Sequence, residues 1–454
     1  MSGPLRLIPG DGEALPAVPR PRPRTPTRPS WAEDPIDELA ERMVEQVASA
    51  VHPYEVAALL ESDGLTNEQM TRRYDRPDLF TLAEDLYARV PRHYPQPAPT
   101  PDPWRPDTVR CALRGVVFAL PGLAYVLGAG LWQGAADITG LVVSGLAAWA
   151  WNQALSHRAH LRLATEGGAA AARTLAVGAP AGALGAAGIG LLVCGPDTGA
   201  AFAAGQSCYL AAASVLLVLG RERALLAALL PVAAGGAVCW LQRPPDVPAV
   251  VLLLSTVILT AGAAAHAVRA LLRSGPAAPK GAGPPRLRSL PYGLFGLAAG
   301  VLAALAGLAE PLSVVVLTLS MGCAEWLLYH FRSLSLAALR AAGTLRRYVL
   351  LEVRALVLCL GSYLALLAAG ALAVGVRPAP LLGLGAVLWT ALLLQAFSLA
   401  WLPALVSLAT AATEAGAALA GLPPDPVALA GRTTAALVLA AAAARLLTRP
   451  TAHR

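Results

Sequence analysis

From residue 112 to residue 446 the chain reads as apolar runs cut by short polar punctuation. Each run is long enough, or nearly so, to cross about 30 Å of hydrocarbon at roughly 20 residues per helix. Twelve are predicted, over 112–131, 136–155, 174–194, 200–220, 223–241, 248–270, 290–308, 311–330, 349–375, 380–400, 403–421 and 427–446. The turn at Trp401-Leu402-Pro403 carries no charge, so one long helix with a proline kink is the competing reading there. Ahead of residue 93 the period changes. "DELAERMVEQVASAV", "YEVAALLESDG" and "PDLFTLAEDLYARV" place apolar residues three and four apart, which predicts amphipathic helices. In "TNEQ", Thr66 and Gln69 have the spacing of a capping box. The predicted fold class is all-α: a polytopic membrane protein of about 12 transmembrane helices, preceded by a small cytoplasmic module of three or four helices.

Composition sharpens this picture. Apolar residues make up 56% of 454, mean hydropathy is +0.57, and only 14% of residues are charged. Residues 1–30 are rich in Pro and Arg and predict a disordered tail, 31–92 the helical module, and 93–110 a Pro-rich linker. The membrane region divides into six-helix bundles at 111–270 and 290–446, joined by a cytoplasmic linker at 271–289 and followed by a tail at 447–454. The first thirty residues hold no apolar core of a signal peptide, so insertion is expected to use the internal spans.

Charge in the loops sets an orientation. Alternate loops carry Arg158, Arg162 and Arg173; Arg221 and Arg223; Arg269, Arg273, Lys280, Arg286 and Arg288; Arg332, Arg340, Arg346 and Arg347. The intervening loops hold Asp137, Asp197, Asp246, Glu310 and Asp425, with Arg243 and Arg377 as their basic residues. Basic loops stay cytoplasmic, so both termini are expected inside a plasma membrane crossed many times. The net charge of +7 belongs to these loops and ends. The arginines are dispersed and no binding motif accompanies them, so a nucleic-acid partner is not expected. The six cysteines show no metal-ligand spacing and read as small packing residues; Cys194 and Cys239, both placed near the outer face, are close enough in the topology for a bridge to be conceivable.

A shift of 177 residues aligns Gly145, Ala147 and Trp149 with Gly322, Ala324 and Trp326, and one further residue aligns Leu161 and Arg162 with Leu339 and Arg340. Six spans is an even number, so the bundles would share one orientation, as parallel repeats about an axis along the membrane normal. In both, the second span continues as a basic amphipathic segment before a long third span: "SHRAHLRLATEGGAAAARTLAVGAPAGALG" and "FRSLSLAALRAAGTLRRYVLLEVRALVLCLG". This pattern resembles the multidrug and polysaccharide exporter superfamily of MATE transporters and lipid-linked oligosaccharide flippases, over residues 110–450. The Gly-x-x-x-Asp-Arg type of motif of the major facilitator group is absent from 156–173 and 332–348. With its Arg-rich tail and N-terminal module, the chain also resembles integral membrane proteins of high-GC actinobacteria. The first resemblance implies alternating access, membrane lipids as surroundings and a lipid-linked sugar as substrate.

Charges within spans are the candidate chemistry, because an ionisable residue in hydrocarbon faces a partner or water. Glu325 is the sharpest, lying seven residues before Arg332, which is the expected partner if its role is structural. Glu414 and Arg432 are placed to form an ion pair between adjacent spans near the outer face. Asn152, Gln153, Gln206 and Gln395 complete the candidate substrate pathway, and Arg158, Arg162, Arg332, Arg340 and Arg354 a cytoplasmic gate. Glu352 opens a span beside Arg354 and reads as an interface residue, while His266 lies near the inner end of a span.

No P-loop, dinucleotide fingerprint, HExxH or GxSxG is present, so no soluble enzyme chemistry, cofactor or metal is expected. Three functions follow in order of support. The first is a secondary transporter or flippase for a lipid-linked or amphipathic substrate. The second is a non-transporting anchor or scaffold in cell-envelope assembly, presenting residues 31–92 to a cytoplasmic or envelope-assembly protein. The third, a glycosyltransferase working on a lipid carrier, would need paired carboxylates at one interface, and only Glu325 and Glu352 come close.

Overall fold

A computed structural model describes residues 34–93, 102–132, 134–239, 246–274 and 284–448. The Pro/Arg-rich tail, residues 94–101 of the Pro-rich linker, residues 275–283 of the 271–289 linker and the last six residues lie outside them. The described residues are helical, with no strand, and divide into two compact units at Pro101/Asp102.

The first unit holds five helices, α1 (Pro35–Arg42), α2 (Val44–Ser49), α3 (Pro53–Ser62), α4 (Asn67–Tyr74) and α5 (Leu79–Arg89). Asp34 and Asp78 cap α1 and α5 through backbone amides at 3.1 and 2.7 Å. The Thr66–Gln69 capping box starts α4. Caps matter here because helices of this length cannot hold themselves in water without them or packing. The apolar faces meet in a core of Ile36, Leu39, Val47, Leu60, Met70, Leu82 and Leu86. Arg89 closes α5 onto the start of α1 by bonding Asp34 and Asp37 at 2.9 and 2.8 Å.

The second unit begins with α6 (Thr108–Ala119) and α7 (Gly122–Leu127), which together make a 20-residue apolar segment. There follow α8 (Ala135–Glu166), α9 (Gly168–Cys194), α10 (Thr198–Val218), α11 (Glu222–Ala228), α12 (Leu230–Cys239) and α13 (Asp246–Ser274). After a 3-10 turn at Arg286–Ser289 come α14 (Leu290–Ala309), α15 (Pro311–Ala341), α16 (Leu345–Ala373), α17 (Pro378–Ala396), α18 (Trp401–Leu419) and α19 (Pro424–Leu447). Among the described residues, ten segments are long and apolar enough to cross a membrane, and eleven if α11 and α12, which meet at 45°, count as one broken span. The chain is a multi-pass membrane protein on this architecture.

The remaining segment is α8, predicted as the second span. Its Asp137, its tryptophans and Asn152 dilute its hydropathy, while its 32 residues extend about 48 Å, well past a hydrocarbon core. Its end, with His157, Arg158, His160 and Arg162, is the basic amphipathic continuation seen in the sequence. At Trp401-Leu402-Pro403 the structure chooses a turn over a kink: α17 stops at Ala396, Ser398 takes a positive φ of 65°, and α18 restarts at Trp401. All six cysteines are free thiols, so Cys194 and Cys239 form no bridge.

Packing divides the unit again. One core runs from Val117 to Val268 and another from Phe295 to Leu447. Helix neighbours recur in the same order in the two runs. In the first, α8–α9, α9–α10, α8–α10, α10–α13, α12–α13 and α7–α12 pack together. In the second, α15–α16, α16–α17, α15–α17, α17–α19, α18–α19 and α14–α18 do so. Lipid tails are as apolar as leucine, so close backbone approach replaces hydrophobic burial as the source of affinity between helices. Gly178 and Gly182 on α9 show how: a Cβ at either would strike Leu155 or Trp151 of α8 at 2.3 or 2.1 Å. Trp151 also donates its indole N–H to the Gly178 carbonyl at 2.8 Å.

The N-terminal unit's separate core yields a direct expectation. Leu82→Ala should cost about 2–5 kcal/mol, a large share of what a domain of this size can muster. Hydrogen exchange on the full chain should then show amides of residues 34–93 losing protection, with those of α14–α19 unchanged.

Candidate functional site

The two six-segment runs meet chiefly through two helix pairs, α6 with α15 and α8 with α14. The first pair touches at backbone distance. A Cβ on Gly115 would lie 3.3 Å from the Gly322 Cα, and one on Gly322 would lie 2.5 Å from the Cys111 carbonyl oxygen. In the second pair, Gly293, Gly296 and Gly300 of α14 receive Ala154, Gln153 and Leu146 of α8.

A four-residue ion network lies beside the Gly115–Gly322 contact. Arg114 of α6 donates through Nε and Nη2 to Glu222 Oε1 of α11, at 3.1 and 2.9 Å. Its Nη1 donates to Glu325 Oε1 of α15. Arg110, one turn earlier on α6, also reaches Glu222 Oε1 at 3.1 Å. Two arginines and two carboxylates leave the cluster neutral. Glu222 is buried, while Arg114 and Glu325 keep about a fifth of their side-chain surface exposed.

Glu325 therefore pairs with Arg114 of the other run, and the expected partnership with Arg332 is corrected. Arg332 lies about two turns further along α15, where its guanidinium stacks 3.4 Å from the ring centre of Trp104. The next residue, Ser333, hydrogen-bonds Asp102, which holds that carboxyl below its usual range. Trp326 adds a bond from its indole to Thr108 Oγ1 at 3.3 Å. The segment leading into α6 is thus fastened to the far part of α15. The other pair has a matching fastening, since Arg158 of α8 donates to the Pro284 carbonyl at 3.1 Å and His157 stacks on Tyr292 at 3.6 Å.

Glu414 and Arg432 form a bidentate pair at 2.9 and 2.7 Å, both almost fully buried. Arg432 also donates to the Pro380 carbonyl at 3.0 Å, and its stem lies against Gly383. Nearby, Arg377 bonds Glu310 at 2.7 Å and Asp425 at 2.6 Å, joining three inter-helix turns at one end of the second run. These two carboxylates keep the Arg377 proton bound more tightly than usual, Asp425 first.

The remaining predicted residues scatter. Gln206 accepts from the Tyr125 hydroxyl at 2.9 Å and donates to the Leu141 carbonyl at 3.1 Å, in space left by Gly145. Gln153 packs on Gly296. Asn152 Oδ1 and Gln395 Nε2 are buried with no hydrogen-bond partner among the described residues. Arg162 turns back on Glu166 and Thr174 within its own run. Arg340 lies close enough to Asp102 to favour its charged form. Arg354 is exposed, whereas Glu352, read as an interface residue, is buried and accepts from Ser335 at 2.7 Å. Thus Glu325 and, through packing, Gln153 among the pathway candidates, and Arg158, Arg332 and Arg340 among the gate candidates, sit where the two runs meet. Arg110, Arg114 and Glu222 are functional candidates that sequence reasoning missed. Their signal was an arginine pair four residues apart at the head of a span.

The chain matches no family model, no curated protein and no solved structure.

The buried Glu414–Arg432 pair supplies a test of structural role. Glu414→Gln leaves the arginine without its counter-charge and should cost about 3–5 kcal/mol, seen as a fall in Tm of detergent-solubilised protein. The double variant Glu414→Leu/Arg432→Met removes both charges and should recover most of that loss.

Proposed function

We propose that this chain is a secondary transporter or flippase for a lipid-linked or amphipathic substrate, with residues 111–270 and 290–446 as two bundles that rock against each other. The observation that carries the reading is the reciprocal junction. Exchanging the two runs turns the α6–α15 pair into the α14–α8 pair, which is the relation expected of parallel repeats about an axis along the membrane normal. Each run keeps its own core, so each can move as a body, while the junction between them consists chiefly of two helix pairs. Among the described residues, the ion pair between helices of the two runs is Arg114 with Glu325, which keeps about a fifth of each side chain exposed and would be broken and remade by such a motion. On this reading α8 is a span, the spans number twelve, and the basic ends of α8 and α15 lie in the cytoplasm with both termini of a plasma-membrane protein.

A second reading is an anchor that presents the N-terminal module to a partner. It is favoured by the separate core of that module and by its acidity, since residues 34–93 hold 13 Asp and Glu against 6 Arg, a net charge of −7 in a chain of +7 overall.

Orientation can be read by labelling. In a background without the native cysteines, Asp197→Cys should react with an impermeant maleimide from outside, and Gly343→Cys, in the basic α15–α16 turn, only after permeabilisation. The reverse pattern would reject the proposed topology.

Transport and structure separate at the ion network. Glu325→Gln leaves Arg114 held by Glu222, so Tm should change little, at most about 1 kcal/mol. Arg114→Gln strands Glu325 and leaves Glu222 to Arg110 alone, and should cost more than Glu325→Gln, about 3–5 kcal/mol at full burial and less here. In proteoliposomes carrying a fluorescent amphipathic lipid, wild-type protein should speed transbilayer movement and Glu325→Gln should slow it about tenfold. No movement with wild-type protein would favour the anchor, and an unchanged rate in the variant would remove Glu325 from the mechanism.

A further inference from the structure

Between α7, α10, α12 and α13 the first run encloses a cavity of about 310 Å³. Its volume is at the lower end of the range for small-molecule sites and about twice that of an engineered apolar cavity that takes up benzene. Tyr125, Phe202, Gly205, Gln206, Leu253 and Val257 are among the residues that line it, and no described lining residue is charged. The polar side chains mostly direct their bonds into the protein: Tyr125 to Gln206, Gln206 to Leu141, Thr198 to Leu131 and Thr256 to Leu252. A ligand there needs no polar group. A charged or strongly polar ligand would lose its hydration with little in return.

The rim identifies the source of the ligand. Val247, Val251, Leu254 and Ile258 of α13 recur at four, three and four residues and are each more than half exposed. On a membrane-crossing helix such a stripe faces lipid, and Leu254 belongs both to the stripe and to the cavity wall. The cavity therefore opens toward hydrocarbon.

The second run offers a contrast. The corresponding helices α14, α17, α18 and α19 surround a hollow of about 80 Å³, lined by Glu310, Arg377, Glu414, Asp425 and Arg432. Charge fills the position that the first run leaves apolar and open.

From these observations we infer that the cavity of the first run is a binding site for a single hydrocarbon chain of a bilayer lipid, entering laterally past Leu254, and that the second run has no such site. The site requires membrane insertion and is independent of whether the protein transports anything.

Gly205 gives access to a test. A Cβ there would meet only Val257 Cγ2, at 3.9 Å, so a side chain at 205 can project into the hollow without striking backbone. Full-length protein is reconstituted into nanodiscs containing phosphatidylcholine with a diazirine at the end of one acyl chain, irradiated, and the adducts located by peptide fragmentation. Wild-type protein should be labelled at interior residues 202–209 of α10 as well as on the α13 stripe, and not at 414–418 or 428–432. Gly205→Phe should lower labelling of α10 about tenfold while leaving the stripe labelled, since excluding two methylene groups already changes occupancy by that order. Val257→Phe, which fills the same space from the facing helix, should act alike and guards against a folding defect in the first variant. Labelling confined to the stripe in wild-type protein, or α10 labelling equal in both variants, would overturn the site. Equal labelling of the second run's hollow would overturn the distinction between the runs.

Discussion

Hydrocarbon offers no hydrogen bonds, and this constraint decides where every charge in the membrane unit can go. A buried arginine is stabilised by a carboxylate, and for Arg114 and Arg432 that carboxylate is on another helix. Arg114 reaches α11 and α15, Arg432 reaches α18, and Arg377 reaches the turns on either side of its own. The pairs therefore determine which helices are neighbours at particular heights. Shifting α6 by one turn against α15, about 5.4 Å, would take Arg114 away from Glu325 and move Gly115 off Gly322 together. Packing and electrostatics fix the same register.

The glycines make that register possible. Helices that gain nothing from burying apolar surface in lipid must approach closely enough for dispersion to hold them, and they do so where side chains vanish. At Gly322 even one methyl group would meet a carbonyl oxygen, so α6 and α15 would have to part and lengthen the bond from Arg114. The network is consequently as dependent on two glycines as on its own charges. By contrast, among the described residues the α8–α14 junction shows no ion pair and relies on glycine contacts, with a stacked His157–Tyr292 pair and the Arg158–Pro284 bond beyond them. Of the two faces between the runs, one is held by an ion pair and the other is not.

Most of the architecture was legible because length and hydropathy govern membrane helices directly. The apolar runs fall on helices, the capping box is where Thr66 and Gln69 placed it, and the basic continuations of α8 and α15 extend as the paired segments suggested. What sequence could not supply was partnership. Glu325 stood out as a charge among apolar residues, but its nearest arginine along the chain, Arg332, was the wrong one, since the true partner lies 211 positions away. Arg110 and Arg114 escaped notice because charges at the head of a span ordinarily belong to the headgroup region. The second span also resisted a count by hydropathy: α8 packs on α9, α10 and α14 and buries Asn152 there, while Trp149 and Trp151, which lower its hydropathy further, remain exposed.

The two runs share their order of packing and differ in what fills it, which bears on how such a structure changes. A charged pair cannot be assembled one partner at a time in a buried hollow, because the first arginine or glutamate to arrive bears an uncompensated charge costing several kcal/mol. An apolar hollow, in contrast, can be enlarged or filled one methyl group at a time, at steps of about 1 kcal/mol. The second run, with Glu414 and Arg432 locked between α18 and α19 and Arg377 across three turns, is accordingly the one whose shape resists gradual change. Variation in what the protein accommodates is open to the first run, around Gly205 and Val257, where no charge has to be matched before the space can be reshaped.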